Sequence, residues 1–169
     1  GQVVLFRKVE DSSHYNDTYY VYDDFGNLCF VLPPMASDKF SGAGTWGESN
    51  GDLQKYAYLY RYDGRRRCIA KKLPGAEWIY YVYDRADRLI LSQDGNQRNK
   101  FPQLWSFKKY DVLGRLIVFG EYADSKTHSQ LITEFKDSLI VEKKEALFPG
   151  YSWNMMPRID YKDVHQINY

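Results

Sequence analysis

Among the residues of this chain that could do chemistry, the acids come first. Asp23 and Asp24 are adjacent carboxylates, and glycoside hydrolysis needs two acids about 5–9 Å apart across a cleft. Adjacent acids at a strand–turn junction point in different directions, however, and Asp23 already has a role in a turn. Cys29, Cys68, His14, His128 and His165 show no spacing that would gather them around zinc. No Ser-His-Asp or Cys-His grouping is assembled either. The expectation is no catalytic residue, no metal ligand and no cofactor, and a protein that is not an enzyme.

Stacking chemistry remains. Exposed tryptophan and tyrosine faces stack on sugar rings, and Trp46, Trp78, Tyr80, Trp105 and Phe107 are the candidate platform for a cell-surface carbohydrate. Tyr56, Tyr58, Tyr60 and Tyr62 occupy every second position, a period that puts four rings on one face of a sheet, as a packed ladder or as a second platform. Arg65-Arg66-Arg67 is the one dense basic run. With 23 Lys and Arg against 22 Asp and Glu, the formal charge of +1 supplies no broad field for phosphate backbones or an anionic membrane. The run therefore reads as a solvated turn, and no nucleic-acid partner is expected. No apolar stretch approaches the roughly 20 residues that cross a bilayer, so no membrane insertion is expected.

The elements that must position these residues are written in a repeated phrase. It reads Tyr22-Asp23-Asp24-Phe25-Gly26-Asn27-Leu28-Cys29, Tyr62-Asp63-Gly64-Arg65-Arg66-Arg67-Cys68-Ile69, Tyr83-Asp84-Arg85-Ala86-Asp87-Arg88-Leu89-Ile90 and Tyr110-Asp111-Val112-Leu113-Gly114-Arg115-Leu116-Ile117. A phrase copied along a chain marks one supersecondary unit whose copies bury surface against each other. Asp suits the first position of a type I turn, and Gly the fourth, where φ is positive. Each phrase therefore predicts a hairpin with a one-residue bulge. The expected pairs are Tyr22 with Leu28, Tyr62 with Cys68, Tyr83 with Leu89 and Tyr110 with Leu116. Further out on the same face come Tyr20 with Phe30, Tyr60 with Ala70, Tyr81 with Leu91 and Lys108 with Val118. This tyrosine side is the expected packed face. The other side, with Val21 on Cys29, Val82 on Ile90, Arg61 on Ile69, Lys109 on Ile117 and Leu59 on Lys71, is expected to be mixed and partly wet. Because Arg66 stands where glycine belongs, the second turn is expected to be the irregular one, with Gly64 taking the unusual torsion.

Aromatics make up 17% of the chain, with 16 tyrosines against three methionines, a composition suited to twisted sheets. The fold expected is mainly β: tandem antiparallel hairpins at about 18–32, 56–73, 77–93 and 103–122 in a single segment spanning 1–169. A strand over 3–9 precedes them, and the insertion at 35–54 has room for a short helical turn. Thr127-His128-Ser129-Gln130 fits a capping box, and Leu131, Ile132, Phe135 and Leu139 follow at helical spacing, so one amphipathic helix is expected near 128–138. Strands are expected at 139–147, 150–154 and 164–169, the last with its partner beyond the chain. Cys29 and Cys68 fall on opposite faces, so no disulfide joins them, and two cysteines do not fix the redox compartment. Gly1 reads as a cloning remnant on an excised piece that carries no targeting signal.

The four phrases resemble the YD-repeat, or Rhs-type, family, named for its tyrosine–aspartate pair followed by glycine and arginine. The likeness covers about 18–121, with a weaker likeness of 122–169 to segments between repeats in large proteins of Bacteroides-like bacteria. The resemblance implies a strip of antiparallel strands belonging to a shell, in a large surface-associated or secreted parent that holds or presents other domains. The partners it implies are the remaining repeats of the parent, with carbohydrate binding as the alternative role. A strip with open edge strands also invites an edge-to-edge dimer.

Overall fold

The computed structural model describes residues 1–39 and 47–142, together with the backbone of 164–168. The fold is mainly β, built of tandem antiparallel hairpins. Its contacts divide into two compact units, Gly1–Trp78 and Ile79–Tyr169.

The first unit contains β1 (Leu5–Val9), β2 (Tyr15–Tyr22), β3 (Leu28–Leu32), β4 (Tyr58–Tyr62) and β5 (Cys68–Lys72), each antiparallel to the strand before it. Two helices occupy the insertion between β3 and β4, where a single turn was expected: α1 (Pro34–Lys39) and α2 (Gly51–Tyr56). Pro34 opens α1, where its missing N–H costs nothing. The Asn50 side chain caps α2 by accepting from the amides of Asp52 and Leu53. Both helices bury an apolar side: Ala36, Leu53 and Ala57 join Leu32 and Leu59 in a core that also takes in Val21, Phe30 and Trp78.

The second unit holds β6 (Trp78–Tyr83, its first residue closing the first unit), β7 (Leu89–Gln93), α3 (Gly95–Arg98), β8 (Leu104–Tyr110), β9 (Leu116–Ala123), α4 (His128–Phe135) and β10 (Val164–Asn168). Pairing is again antiparallel from each strand to the next. The terminal strand finds its partner within the chain, in β9. The Thr127–Gln130 capping box forms as its spacing predicts. Leu131 and Phe135 of α4 pack with Ile140 onto Val82, Ile90, Leu91, Trp105, Phe107, Val118 and Tyr122. Residues 139–142 follow α4 without strand structure, and the strand expected at 150–154 lies outside the described residues.

The four tyrosine pairs next to the turns form as expected, but every pair further out is displaced by one residue. The second apolar residue of each phrase, Cys29, Ile69, Ile90 or Ile117, is an unpaired bulge residue. Val21 therefore faces Phe30 rather than Cys29, Arg61 faces Ala70, Val82 faces Leu91, Lys109 faces Val118, and Leu59 faces Lys72. Tyr20, Tyr60, Tyr81 and Lys108 face Val31, Lys71, Ser92 and Phe119. The packed face is also the other one, and the bulge brings Leu91 and Val118 onto it. Val82, Leu91, Phe107, Val118 and Leu59 are buried, whereas the motif tyrosines are half-buried. The core lies on the side away from the tyrosines because the helices cover that side. In the alternating stripe Tyr56 belongs to α2, leaving three rings on β4, with Leu59 between them in the core.

The turns themselves are alike. In each, the amide of the fourth residue after the tyrosine donates to the Asp carbonyl, and the Asp amide donates to the carbonyl four residues on. Left-handed torsions fall at the same place in all four: Gly26 (φ 80°), Arg66 (62°), Asp87 (61°) and Gly114 (77°). The second turn is thus regular, with Arg66 itself in the left-handed region, because the surrounding hydrogen bonds outweigh the steric cost of its Cβ. A Cβ at Gly114 would meet nothing within 4 Å, so Gly114→Val probes torsion alone. It is expected to cost about 1–3 kcal/mol, while Gly64→Ala, at negative φ and equally open, should be neutral or stabilising by up to about 1 kcal/mol. Thermal melts of the two variants check the assignment.

Candidate functional site

The Tyr-Asp phrases are the chain's recurring polar sites, and their geometry repeats atom for atom. One oxygen of the motif carboxylate, Oδ1, accepts the backbone amides two and four residues on: Phe25 and Asn27 for Asp23, Arg65 and Arg67 for Asp63, Ala86 and Arg88 for Asp84, Leu113 and Arg115 for Asp111. The other oxygen takes the side chain of the last of these residues. Asn27 Nδ2 reaches Asp23 at 2.8 Å, and the Nε of Arg67, Arg88 and Arg115 reaches Asp63, Asp84 and Asp111 at 2.7, 2.9 and 2.6 Å. Donors crowded onto one carboxylate favour its charged form. The Asn27 side chain holds Asp23 below the usual carboxylate range, and the Arg115 amide and guanidinium do so for Asp111. Burial would raise Asp63, but hydrogen bonds from Arg67 and Arg65 outweigh it and its pKa is lowered too. Acids so occupied are turn anchors.

The motif tyrosine links one hairpin to the preceding strand. Tyr62 Oη donates to the Leu28 carbonyl at 2.9 Å, Tyr110 Oη to the Leu89 carbonyl at 2.9 Å, and Tyr22 Oη to the Val3 carbonyl at 3.0 Å. In the first two cases the acceptor is the first apolar residue of the previous phrase. Burial pushes the Tyr62 phenol up to about 12 and raises Tyr110, so both remain donors at neutral pH.

Among the described residues, the candidate sugar platform is not gathered on one exposed face. Trp105 and Phe107 are 0% and 1% exposed, part of the core because α4 covers the side of the sheet they share. Tyr80 is half-buried, with the His128 ring stacked on it at 4.5 Å and 12°, and the Arg98 guanidinium 4.6 Å above its centroid. Both groups occupy the ring surface that a sugar would stack on. Trp78 packs on the first unit's core beneath the Arg61 guanidinium, 4.1 Å from its centroid. Trp46 lies outside the described residues.

Other groupings escaped the sequence reading. Lys109 Nζ meets Glu142 Oε1 at 2.8 Å with both side chains buried, and the Glu142 amide donates to the Tyr110 carbonyl. Arg88 Nη2 donates to the Ile140 carbonyl, and the Ile140 amide reaches Asp84 Oδ2. The segment after α4 is therefore tied to two turns. Glu142 opens a run of four charged residues, Glu142-Lys143-Lys144-Glu145, which reads as solvated, so nothing local marks it as a buried partner. In the β1–β2 turn, Ser13 Oγ and Asp11 both lie at His14 Nδ1, 3.2 and 2.9 Å away. With acid and hydroxyl on the same ring nitrogen, this is not a relay for activating serine, and all three residues are exposed.

Asp84 is fully buried and shares its carboxylate with Arg88, so Asp84→Ala leaves a cation and two turn amides uncompensated. The expected loss is about 3–5 kcal/mol, read from denaturant unfolding. Because the folded forms of Asp23, Asp63 and Asp111 hold protons less tightly than the unfolded chain, they stabilise the fold above the unfolded pKa of 3.8. That contribution is lost as pH falls through their folded pKa values. A melting temperature flat from about pH 7 to 5 and dropping below about pH 4 is the expected profile.

The chain matches no protein-family model and no curated protein. Solved structures do share its fold. The crystal structure of TcdB2-TccC3 aligns with a TM-score of 0.51 at 14% identity, over 83% of this chain and 7% of that one. The crystal structure of TcdB2-TccC3-Cdc42 gives 0.52 at 15%, over 89% and 8%, and that of TcdB2-TccC3 without its hypervariable C-terminal region gives 0.52 at 15%, over 88% and 8%. The chain thus spans less than a tenth of the proteins it resembles, and what it shares with them is an Rhs-like β-fold.

Proposed function

We propose that this chain is a non-catalytic structural segment of a β-repeat shell, in a large surface-associated or secreted parent whose other domains it holds or presents. The remaining repeats of the parent are its partners. The observation that supports this reading most is the occupancy of the repeated residues. Motif carboxylates are filled by their own turn amides, and the Tyr62 and Tyr110 hydroxyls by the previous phrase. The recurring chemistry of the phrase is spent on the strip itself. A scaffold role also suits a fold shared with under a tenth of much longer chains.

Carbohydrate binding is the competing role, and no observation favours it. Trp105 and Phe107 are buried, and Tyr80 and Trp78 carry protein cations on their rings. Titration with cell-wall polysaccharides is therefore expected to leave tryptophan fluorescence unchanged, and a glycan array to give no hits. A saturable emission shift, abolished by Trp78→Ala in a folded variant, would replace the scaffold reading with the binding one.

A further inference from the structure

We propose that residues 1–9 are the second half of a fifth copy, and that the outer edge of β1 is a docking surface for an antiparallel strand ending in Tyr-Asp-x-x. This rests on the scaffold reading and adds a specific partner to it. The first observation is the hydroxyl of Tyr22. Tyr62 and Tyr110 donate to Leu28 and Leu89, each the first apolar residue of the preceding phrase, and Tyr22 makes the same bond to Val3.

The ladder says the same. The residue three before the tyrosine faces the residue two beyond its acceptor in all three junctions: Leu59 with Phe30, Phe107 with Leu91, and Tyr19 with Leu5. Val3 therefore stands in register where Leu28 and Leu89 stand. Counting outward from Val3, Gly1-Gln2-Val3-Val4 overlays Gly26-Asn27-Leu28-Cys29 and Gly114-Arg115-Leu116-Ile117. Gly1 thus stands in register where Gly26 and Gly114 take left-handed torsions.

Two features set residues 1–9 apart from the second strands of the four phrases. In the complete copies, the residue equivalent to Gln2 pairs its side chain with the motif Asp. Gln2 Nε2 instead donates to the Gly26 carbonyl at 3.0 Å. Val4, the bulge equivalent, is 63% exposed, whereas Ile90 at that place in the third copy is 1% exposed. Val3, Leu5 and Phe6 are exposed alongside it. An open edge of exposed apolar residues pairs readily with a strand, and the repeat dictates which. The incoming tyrosine faces Val3, the residue before it faces Leu5, and its Asp accepts from Gln2.

The test is the full chain carrying a copy of residues 103–113 fused ahead of Gly1, so that Tyr-Asp-Val-Leu runs into Gly1-Gln2. Hydrogen exchange over residues 3–9 is expected to slow by about tenfold or more, with a higher melting temperature. Replacing the Tyr-Asp of the extension with Ala-Ala should abolish both effects. Equal protection by the Ala-Ala extension would overturn the proposal, since any strand would then serve. So would a chain that light scattering shows to be an edge-to-edge dimer the extension cannot dissociate, because the occupant would be a second copy. If the extension fails while Tyr110→Phe still lowers the melting temperature, the docking proposal falls and the scaffold reading stands; if Tyr110→Phe also has no effect, both fall.

Discussion

A carboxylate at the start of each turn is the interaction on which the strip depends. An aspartate that accepts two backbone amides from the bend ahead of it, and a side chain from the far end of that bend, leaves few alternative paths for the intervening residues. The left-handed torsion follows as a consequence, and it survives even where the residue is Arg66 or Asp87 instead of glycine. The cost of a Cβ there, about 1–2 kcal/mol, is offset by hydrogen bonds to a charged acceptor, each about 1.5–3 kcal/mol. Turn geometry is thus held by the anion more than by the glycine.

From the turn, two further features propagate. The bulge at the second apolar residue lets two consecutive apolar residues follow the bend, and it shifts the ladder so that the residue before the tyrosine faces a core position. The tyrosine is left on the opposite side, half-buried, with a hydroxyl free to reach the neighbouring strand. The bonds of Tyr62 and Tyr110 to the previous phrase place the second hairpin against the first and the fourth against the third. One phrase therefore encodes a bend, a face and a junction, which is why its residues are so regular while the intervals between copies vary.

Helices supply what the hairpins lack. A sheet with one apolar side needs cover, and α1 and α2 provide it in the first unit as α4 does in the second. In the second unit the cover is fastened by polar contacts as well: Arg88 and Asp84 to Ile140, Lys109 to Glu142. Lys109 sits in the row that buries Trp105 and Phe107, so its charge requires a partner there. Glu142 is that partner. A lysine on the tyrosine's neighbouring position had suggested a wet face, and tertiary packing made it a dry one.

Local sequence, by itself, determined the hairpins, the left-handed turn positions, the first cross-strand pairs and the capping of α4, because all of these are set by interactions among residues within about eight positions of one another. Asp23 and Asn27 find each other whatever surrounds them, and Thr127 and Gln130 do too. Only the tertiary structure decided which face is core, where Trp105 and Phe107 point, what covers Tyr80 and how Lys109 is neutralised. A single bulge residue reverses the alternation of every position beyond it, and the groups that then fill the buried side come from α1, α2, α4 and residues 138–142. Their positions depend on packing between distant segments, for which the local pattern carries no signal.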